Sequence, residues 1–284
     1  MMNRNQGNRL RSKIVGLLYC LLCLTTVSII PAGLAAENQE PPDRLNSRFL
    51  RHLITDAGSV LTSPLRWDKK DRVTAGLASA ATLAFLPADA PIRRWVLNHH
   101  GQASDSSSRV FSAAGGPAVL LGVISAGYLY GELADKHGAR LAFLRAGESL
   151  ILSEMIVQLG KAGLGRARPY AEEGPFSFHP FSFRQKWQSF PSGHAASAWA
   201  VAASLTSHAA SPYVDSLLYA LATGVSLSRV VLDKHYASDV VAASLLGYFI
   251  GKKVSRPSKP GDNKVSMAIL ADRGSFSVTV CYQY

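Results

Sequence analysis

The sequence predicts an all-α protein, a helical bundle of about six core helices with a short C-terminal β-hairpin outside it. Three observations carry that expectation. Apolar residues make up 48% of the 284 residues, enough for a sizeable core and too many for general disorder. Ala- and Leu-rich segments recur between Pro, Gly and polar breaks, with no sustained strand alternation among them. Alternation of the strand kind occurs only near the C-terminus.

Taken in order, the chain opens with Arg4, Arg9, Arg11 and Lys13, an uncharged apolar run from Ile14 to Ile30, and the small residues Gly33, Ala35 and Ala36. That is the pattern of an export signal over 1–36, cut after Ala35 or Ala36. The alternative is an uncleaved anchor, because a run of 17 residues is near the lower limit for a span. Cys20 and Cys23 sit in this leader without the small residues that precede a lipid-attachment site. Once the leader is removed only Cys281 remains, so no intrachain disulfide is available. Residues 37–72 hold a polar linker with Pro41 and Pro42, then a mixed apolar and basic stretch from Leu45 to Trp67 suited to an amphipathic or interfacial helix.

Residues 73–254 form the bundle domain. Val73 to Leu86 is helical and stops at Pro87, and Ala88 to Ser108 reads as a polar connection. Pro117 to Leu133 is an apolar helix with Pro in its first turn. Ala139 to Leu159 is helical but carries Arg145, Glu148 and Glu154. Tyr170 to Phe190 is a loop. Ser192 to Ser207, Ser216 to Leu232 and Ser238 to Val254 complete the helices. Residues 255–284 are a Pro/Lys/Gly linker and the hairpin, Lys264 to Ala271 and Ser275 to Tyr284 around Asp272-Arg273-Gly274.

The net charge is +11, from 30 Lys plus Arg against 19 Asp plus Glu. The basic residues are dispersed and carry no nucleic-acid-binding signature, so acidic substrates or an anionic membrane surface fit better than nucleic acid. Loss of the leader removes Arg4, Arg9, Arg11 and Lys13, which leaves +7. The placement is exported: periplasmic and soluble, or attached to or embedded in the inner membrane. Several apolar runs are shorter than the roughly 20 residues a span needs, and others carry charge. Counting spans from an exported start also puts Lys252-Lys253 outside, against the positive-inside tendency. An exported globular domain therefore fits slightly better than an embedded bundle.

Three stretches collect groups suited to binding or attacking a phosphoryl group: Lys161 to Pro169, Pro191-Ser192-Gly193-His194, and Ser228 to Asp239. A phosphate dianion leaves water only for opposite charge, and the planar fork of Arg can bond two of its oxygens. Arg168 and Arg229 would be those forks and Lys161 a point charge; alone, the first stretch would be a solvated basic helix end. Ser192 and Gly193 open a helix whose first N–H groups have no partners, an anion site in which glycine permits close approach. Ser192 could equally be a helix cap. His194 could protonate a leaving oxygen, or be an ordinary exposed histidine. His235 and Asp239 are four apart and would share a helix face, so the carboxylate could hold one ring nitrogen and free the other to attack; a structural pair is the alternative. No histidines have zinc-ligand spacing, so no metal is expected. The loop before the second stretch carries Phe176, Phe178, Phe181, Phe183, Trp187 and Phe190. It reads either as a lid or lipid rest over the site or as rings packed onto the bundle.

Position by position, these stretches resemble the K-x6-R-P, P-S-G-H and S-R-x5-H-x3-D motifs of the type 2 phosphatidic acid phosphatase and vanadium haloperoxidase superfamily. The resemblance implies an α-helical bundle with a metal-independent phosphatase site. It implies His235 as nucleophile, His194 as general acid and Asp239 as orienter, with Lys161, Arg168, Ser192, Gly193 and Arg229 binding phosphate. The expected substrate is a phosphorylated lipid, or a small phosphoester in a broad acid phosphatase. A haloperoxidase or a non-catalytic binding module ranks lower. No cofactor is expected; vanadate would inhibit, or would be the prosthetic group of a haloperoxidase.

Overall fold

The computed structural model describes residues 44–256 except His100 and Ala210, together with the backbone of 265–272 and 275–282. The expected leader, its two cysteines, the linker before residue 44 and the Cys281 side chain lie outside the described residues. The described helices are α1 (Ser47–Leu61), α2 (Lys69–Phe85), α3 (Asp89–His99), α4 (Gln102–Ala114), α5 (Pro117–Leu133), α6 (His137–Leu164), α7 (Gly193–Leu205), α8 (Pro212–Val231) and α9 (Ala237–Val254). Two units are distinguished, Leu50–Leu65 with the tail from Ser258, and Pro41–Phe49 with Arg66–Pro257; apart from the C-terminal strands, all that follows concerns the second.

Local chemistry sets most of the helix starts. Asp68 caps α2, accepting from the Asp71 N–H at 2.7 Å, while Asp71 accepts from the Asp68 N–H at 3.4 Å. Pro117 and Pro212 occupy first-turn positions in α5 and α8, where a missing N–H costs nothing. α6 ends at Gly165, whose φ of 59° is left-handed. A Cβ there would also lie 1.8 Å from the His179 carbonyl oxygen, so glycine is required twice over.

Ala-rich α7 is the centre of the bundle and packs against α6, α8 and α9. α5 packs on α6, α4 on α8, and α2 on α9. The closest approach is between α7 and α9. A Cβ at Gly247 would sit 2.2 Å from the Ala196 carbonyl oxygen, and one at Gly251 would sit 2.4 Å from that of Ala200. Small residues spaced by four on both helices let the two backbones touch, which brings the start of α9 beside the start of α7. Val157, Ala195, Ala196, Val240 and Ala243 fill the space between α6, α7 and α9.

The polar connection expected over Ala88 to Ser108 is instead α3 and the first half of α4. Its composition gives no apolar stripe to read. The helices are held by particular contacts, Asp89 buried at the head of α3 and Phe111 seated where a side chain on Gly224 of α8 would be. The C-terminal β-hairpin is not supported as part of this fold. The backbone of Val265–Asp272 pairs with Ser275–Tyr282, but its turn and all its side chains lie outside the described residues.

Large apolar side chains cover the outward faces of α5 and α8, among them Leu121, Val123, Leu129 and Leu133 on α5 and Tyr213, Leu217, Leu221 and Leu227 on α8. Among the described residues α8 alone is long and apolar enough to cross a membrane. α2 with α3, bent by 56°, and α4 with α5, bent by 55°, pass the same test as broken pairs.

Candidate active site

The three sequence stretches meet at one end of the bundle, where α6 ends and α7 and α9 begin. Lys161 is buried in the last turn of α6. The chain then leaves Gly165 as an extended segment clamped by the loop before α7. The Ala167 N–H donates to the Ser177 carbonyl at 2.9 Å, the Arg168 N–H to Lys186 at 2.8 Å, and the Ser189 N–H to Arg166 at 2.9 Å. Arg168 is thereby delivered to the site by backbone pairing rather than by a helix.

Ser192 precedes α7, and its side chain makes no capping bond. The capping alternative for this serine is therefore not what the structure shows: its Oγ is buried without a protein partner. Arg168 Nε and Arg229 Nε are likewise buried and unpartnered. Arg229, in the last turn of α8, is steadied by the Ser112 hydroxyl of α4. One polar atom from each stretch thus lacks a partner, an arrangement that is costly unless a ligand completes it. Two are cationic donors and one a hydroxyl, a set that suits an oxyanion. A Cβ on Gly193 would lie 3.3 Å from both Lys161 Nζ and Glu154 Oε1, so the ammonium lies close beside the first turn of α7.

His235 does not share a helix face with Asp239. It lies in the turn before α9, and Asp239 lies in the first turn of that helix. The ring's Nδ1 is 2.7 Å from the Ser189 carbonyl oxygen and 3.9 Å from Asp239 Oδ2. A carbonyl can only accept, so Nδ1 carries the proton and Nε2 keeps its lone pair. The direct hold expected from Asp239 is thus made by Ser189. Asp239 is fully buried and accepts from Ser189 Oγ at 2.5 Å, the Tyr236 N–H at 2.9 Å and Arg166 Nη1 at 2.5 Å. Burial pushes the Asp239 carboxyl up, and Arg166, Ser189 and the Tyr236 N–H pull it back.

Electrostatics tie the rest together. Burial, then the charges of Arg229, Lys161 and Arg168, push His194 down to about 4. Burial, then Arg168, Arg229 and Lys161, hold His235 well below the usual histidine range, with the Ser189 carbonyl opposing. Lys161 is lowered by burial and by both arginines, while Glu154 opposes the shift. Burial and a field of three cations thus favour the neutral form of both imidazoles.

The sequence reading missed Arg166, Asp89, Ser189 and Ser112. Arg166 stood in plain view two residues before Arg168, inside the first stretch. Nothing local marked Asp89, which meets Arg166 across 77 residues. The aromatic loop is mixed: Phe176, Phe181 and Phe183 are well exposed, whereas Phe190 and Trp187 are partly covered. Trp187 stacks on His179 at 4.1 Å, and both hydrogen-bond to Glu173.

Residues 142–256 match the description PAP2 superfamily. A lipid A 1-phosphatase of Rhizobium johnstonii is 35% identical over 101 residues, which is 35% of this chain and 41% of that protein. A lipid A 1-phosphatase of Porphyromonas gingivalis is 32% identical over 99 residues, 34% of this chain and 19% of that one. The chain thus spans less than half the length of these relatives. The crystal structure of a transmembrane PAP2 type phosphatidylglycerolphosphate phosphatase from Bacillus subtilis superposes with a TM-score of 0.47 at 25% identity, covering 64% of this chain and 90% of that one.

Proposed function

We propose that this chain is a PAP2-type enzyme, on the match of residues 142–256 to that superfamily, and that it is a metal-independent phosphatase of phosphorylated membrane lipids working through a phosphohistidine intermediate. The observation that carries the reading is the set of three buried, unpartnered polar atoms, Arg168 Nε, Arg229 Nε and Ser192 Oγ, grouped with Lys161 and with a histidine whose Nε2 is free.

In the proposed reaction the cations and Ser192 take the non-bridging oxygens. His235 Nε2 attacks phosphorus, and the bond from phosphorus to the ester oxygen breaks. His194 gives its proton to the departing oxygen, so a neutral alcohol leaves. The phosphorylated ring keeps its Nδ1 proton and becomes cationic, a charge met by the Ser189 carbonyl and the Asp239 carboxylate behind it. Water then attacks phosphorus, His194 takes its proton, and His235 departs neutral as phosphate forms.

Burial and the three cations hold His194 toward its neutral form, so in the proposed reaction its proton arrives with the substrate. A bound phosphate dianion cancels two of the three positive charges that hold the ring down, which makes protonation and binding mutually supportive. Vanadate has similar charge and shape and would compete for the same donors. A haloperoxidase would keep it as a prosthetic group, and halide oxidation by the vanadate-loaded protein is the outcome that would favour that branch.

The lipid part of the proposal rests on the rows of large apolar side chains exposed on α5 and α8, a concentration suited to a lipid or protein surface rather than to water. They outweigh the slight preference for a soluble domain drawn from sequence, and we place the bundle in a membrane. The name carried by the relatives, lipid A 1-phosphatase, is consistent with a phosphate on a glycolipid headgroup. The test is phosphate release by the purified chain from lipid phosphates in mixed micelles and from nitrophenyl phosphate. Turnover preferring the lipid supports the proposal. Equal or better turnover of the small ester moves the reading to a broad phosphatase, and no release from either ends it.

A further inference from the structure

Behind His235 lies a charge cluster that extends beyond the three sequence stretches to Asp89. Asp89 at the head of α3, Arg166 in the extended segment and Asp239 in α9 are each at most 1% exposed. Arg166 spends its whole fork there. Nε donates to the Pro175 carbonyl at 2.8 Å, Nη1 to Asp239 at 2.5 Å and Ser238 Oγ at 2.8 Å, and Nη2 to Asp89 at 2.7 Å. The guanidinium also lies 4.7 Å from the centre of the Tyr236 ring. Asp89 accepts in turn from the Ser238 N–H at 2.9 Å and from Ser238 Oγ at 2.6 Å. It therefore caps α9 from a different helix, at the positive end of that helix's dipole.

The chain of contacts leads to the nucleophile. The Nδ1–H of His235 points at the Ser189 carbonyl, the Ser189 hydroxyl is bound by Asp239, and Asp239 is bound by Arg166. An arginine held by one carboxylate can pivot about that pair. Carboxylates on both of its outer nitrogens fix the fork in plane and direction. The cluster also sets two carboxylates against one guanidinium on the Nδ1 side of His235. That charge favours the cationic ring formed when the P–N bond is made. His194 and Glu154 lie by the cations of the phosphate position, and the Tyr236 ring lies against Arg166 with Arg93 and Asp233 beyond it.

We propose that Asp89 and Arg166 are positioning residues for the phosphoryl-transfer step, acting through Asp239 and Ser189 to hold the tautomer and angle of His235. This rests on the phosphatase reading above and adds to it a residue, Asp89, outside the matched segment 142–256.

The test is a double-variant cycle on the full chain, with phosphate release from a lipid phosphate as readout and vanadate inhibition as the measure of the anion site. Asp89→Asn should lower kcat about 10- to 100-fold, the scale of a misaligned reacting group. KM and the vanadate inhibition constant should stay within about threefold, since the cations are untouched. In an Asp239→Asn background, Asp89→Asn should cost less than about threefold more, because the path is already cut. Ser238→Ala keeps all three charges and removes only the hydroxyl between Asp89 and Arg166. It should show the same kcat-only loss at a few-fold, and it decides the matter if Asp89→Asn does not fold. An active unaltered chain whose variants lose activity additively, or in KM and vanadate affinity with kcat kept, overturns this inference alone. An inactive unaltered chain overturns the phosphatase reading, and the inference falls with it.

Discussion

Binding vanadate should raise the titration midpoint of His194 from about 4 to above its ordinary 6.5. The ring is buried beside Arg229, Lys161 and Arg168. The gap between 6.5 and about 4 corresponds to roughly 3 kcal/mol against protonation. A single opposite charge about 4 Å away is worth about 4 kcal/mol at an effective dielectric near 20, so an oxyanion among these cations is enough to reverse the balance. The assay is a pH titration of the histidine ring protons by NMR, with His194→Ala to assign the signal, with and without vanadate. The sign has a consequence for stability. Above pH 6.5 the ring is neutral folded or unfolded; as the pH falls, the unfolded chain takes up the proton first. Stability is thus lost between about 6.5 and about 4, and vanadate should suppress that loss. A midpoint near 6.5 in the free protein, or no rise with vanadate, would refute both the electrostatic account and the proton-uptake step built on it.

Other consequences can be checked directly. His235→Ala should abolish turnover, and an acid-labile phosphoenzyme trapped in the unaltered chain should be missing from it; retained activity or an acid-stable adduct would remove the nucleophile assignment. Chelators should leave the rate unchanged while vanadate inhibits, and activity lost in EDTA and restored by a divalent ion would overturn the cation clamp. His194→Ala should slow alkyl phosphates far more than nitrophenyl phosphate, whose leaving group departs with little protonation; equal slowing would make His194 a phosphate ligand instead. Gly247→Ala should cost about 1–3 kcal/mol in denaturant unfolding by forcing α9 off α7, and an unchanged midpoint would contradict the close approach.

The helical class was legible because helix-forming segments announce themselves locally. Pro117 begins α5 where the sequence reading began it, and Val254 ends α9 where the reading ended it. The eight candidate site residues could be named from sequence for a similar reason: each stretch is short, and Arg, Gly, Ser and His suit an anion whatever the fold. What stayed hidden depends on neighbours far along the chain. α3 and the start of α4 read as a polar connection because their Asp and Ser residues are helical only where Arg166 and α8 receive them. Asp239 is only four residues from His235 in sequence, yet the ring donates its hydrogen bond to Ser189, 46 residues earlier, because the extended segment and the loop are paired through backbone bonds that no side-chain pattern records. The residue types thus determined what chemistry this chain could carry. Which carboxylate backs which cation, and which ring nitrogen is left free, was decided only when packing of α3, α6 and α9 brought buried charges together, since a desolvated charge must find its partner in space.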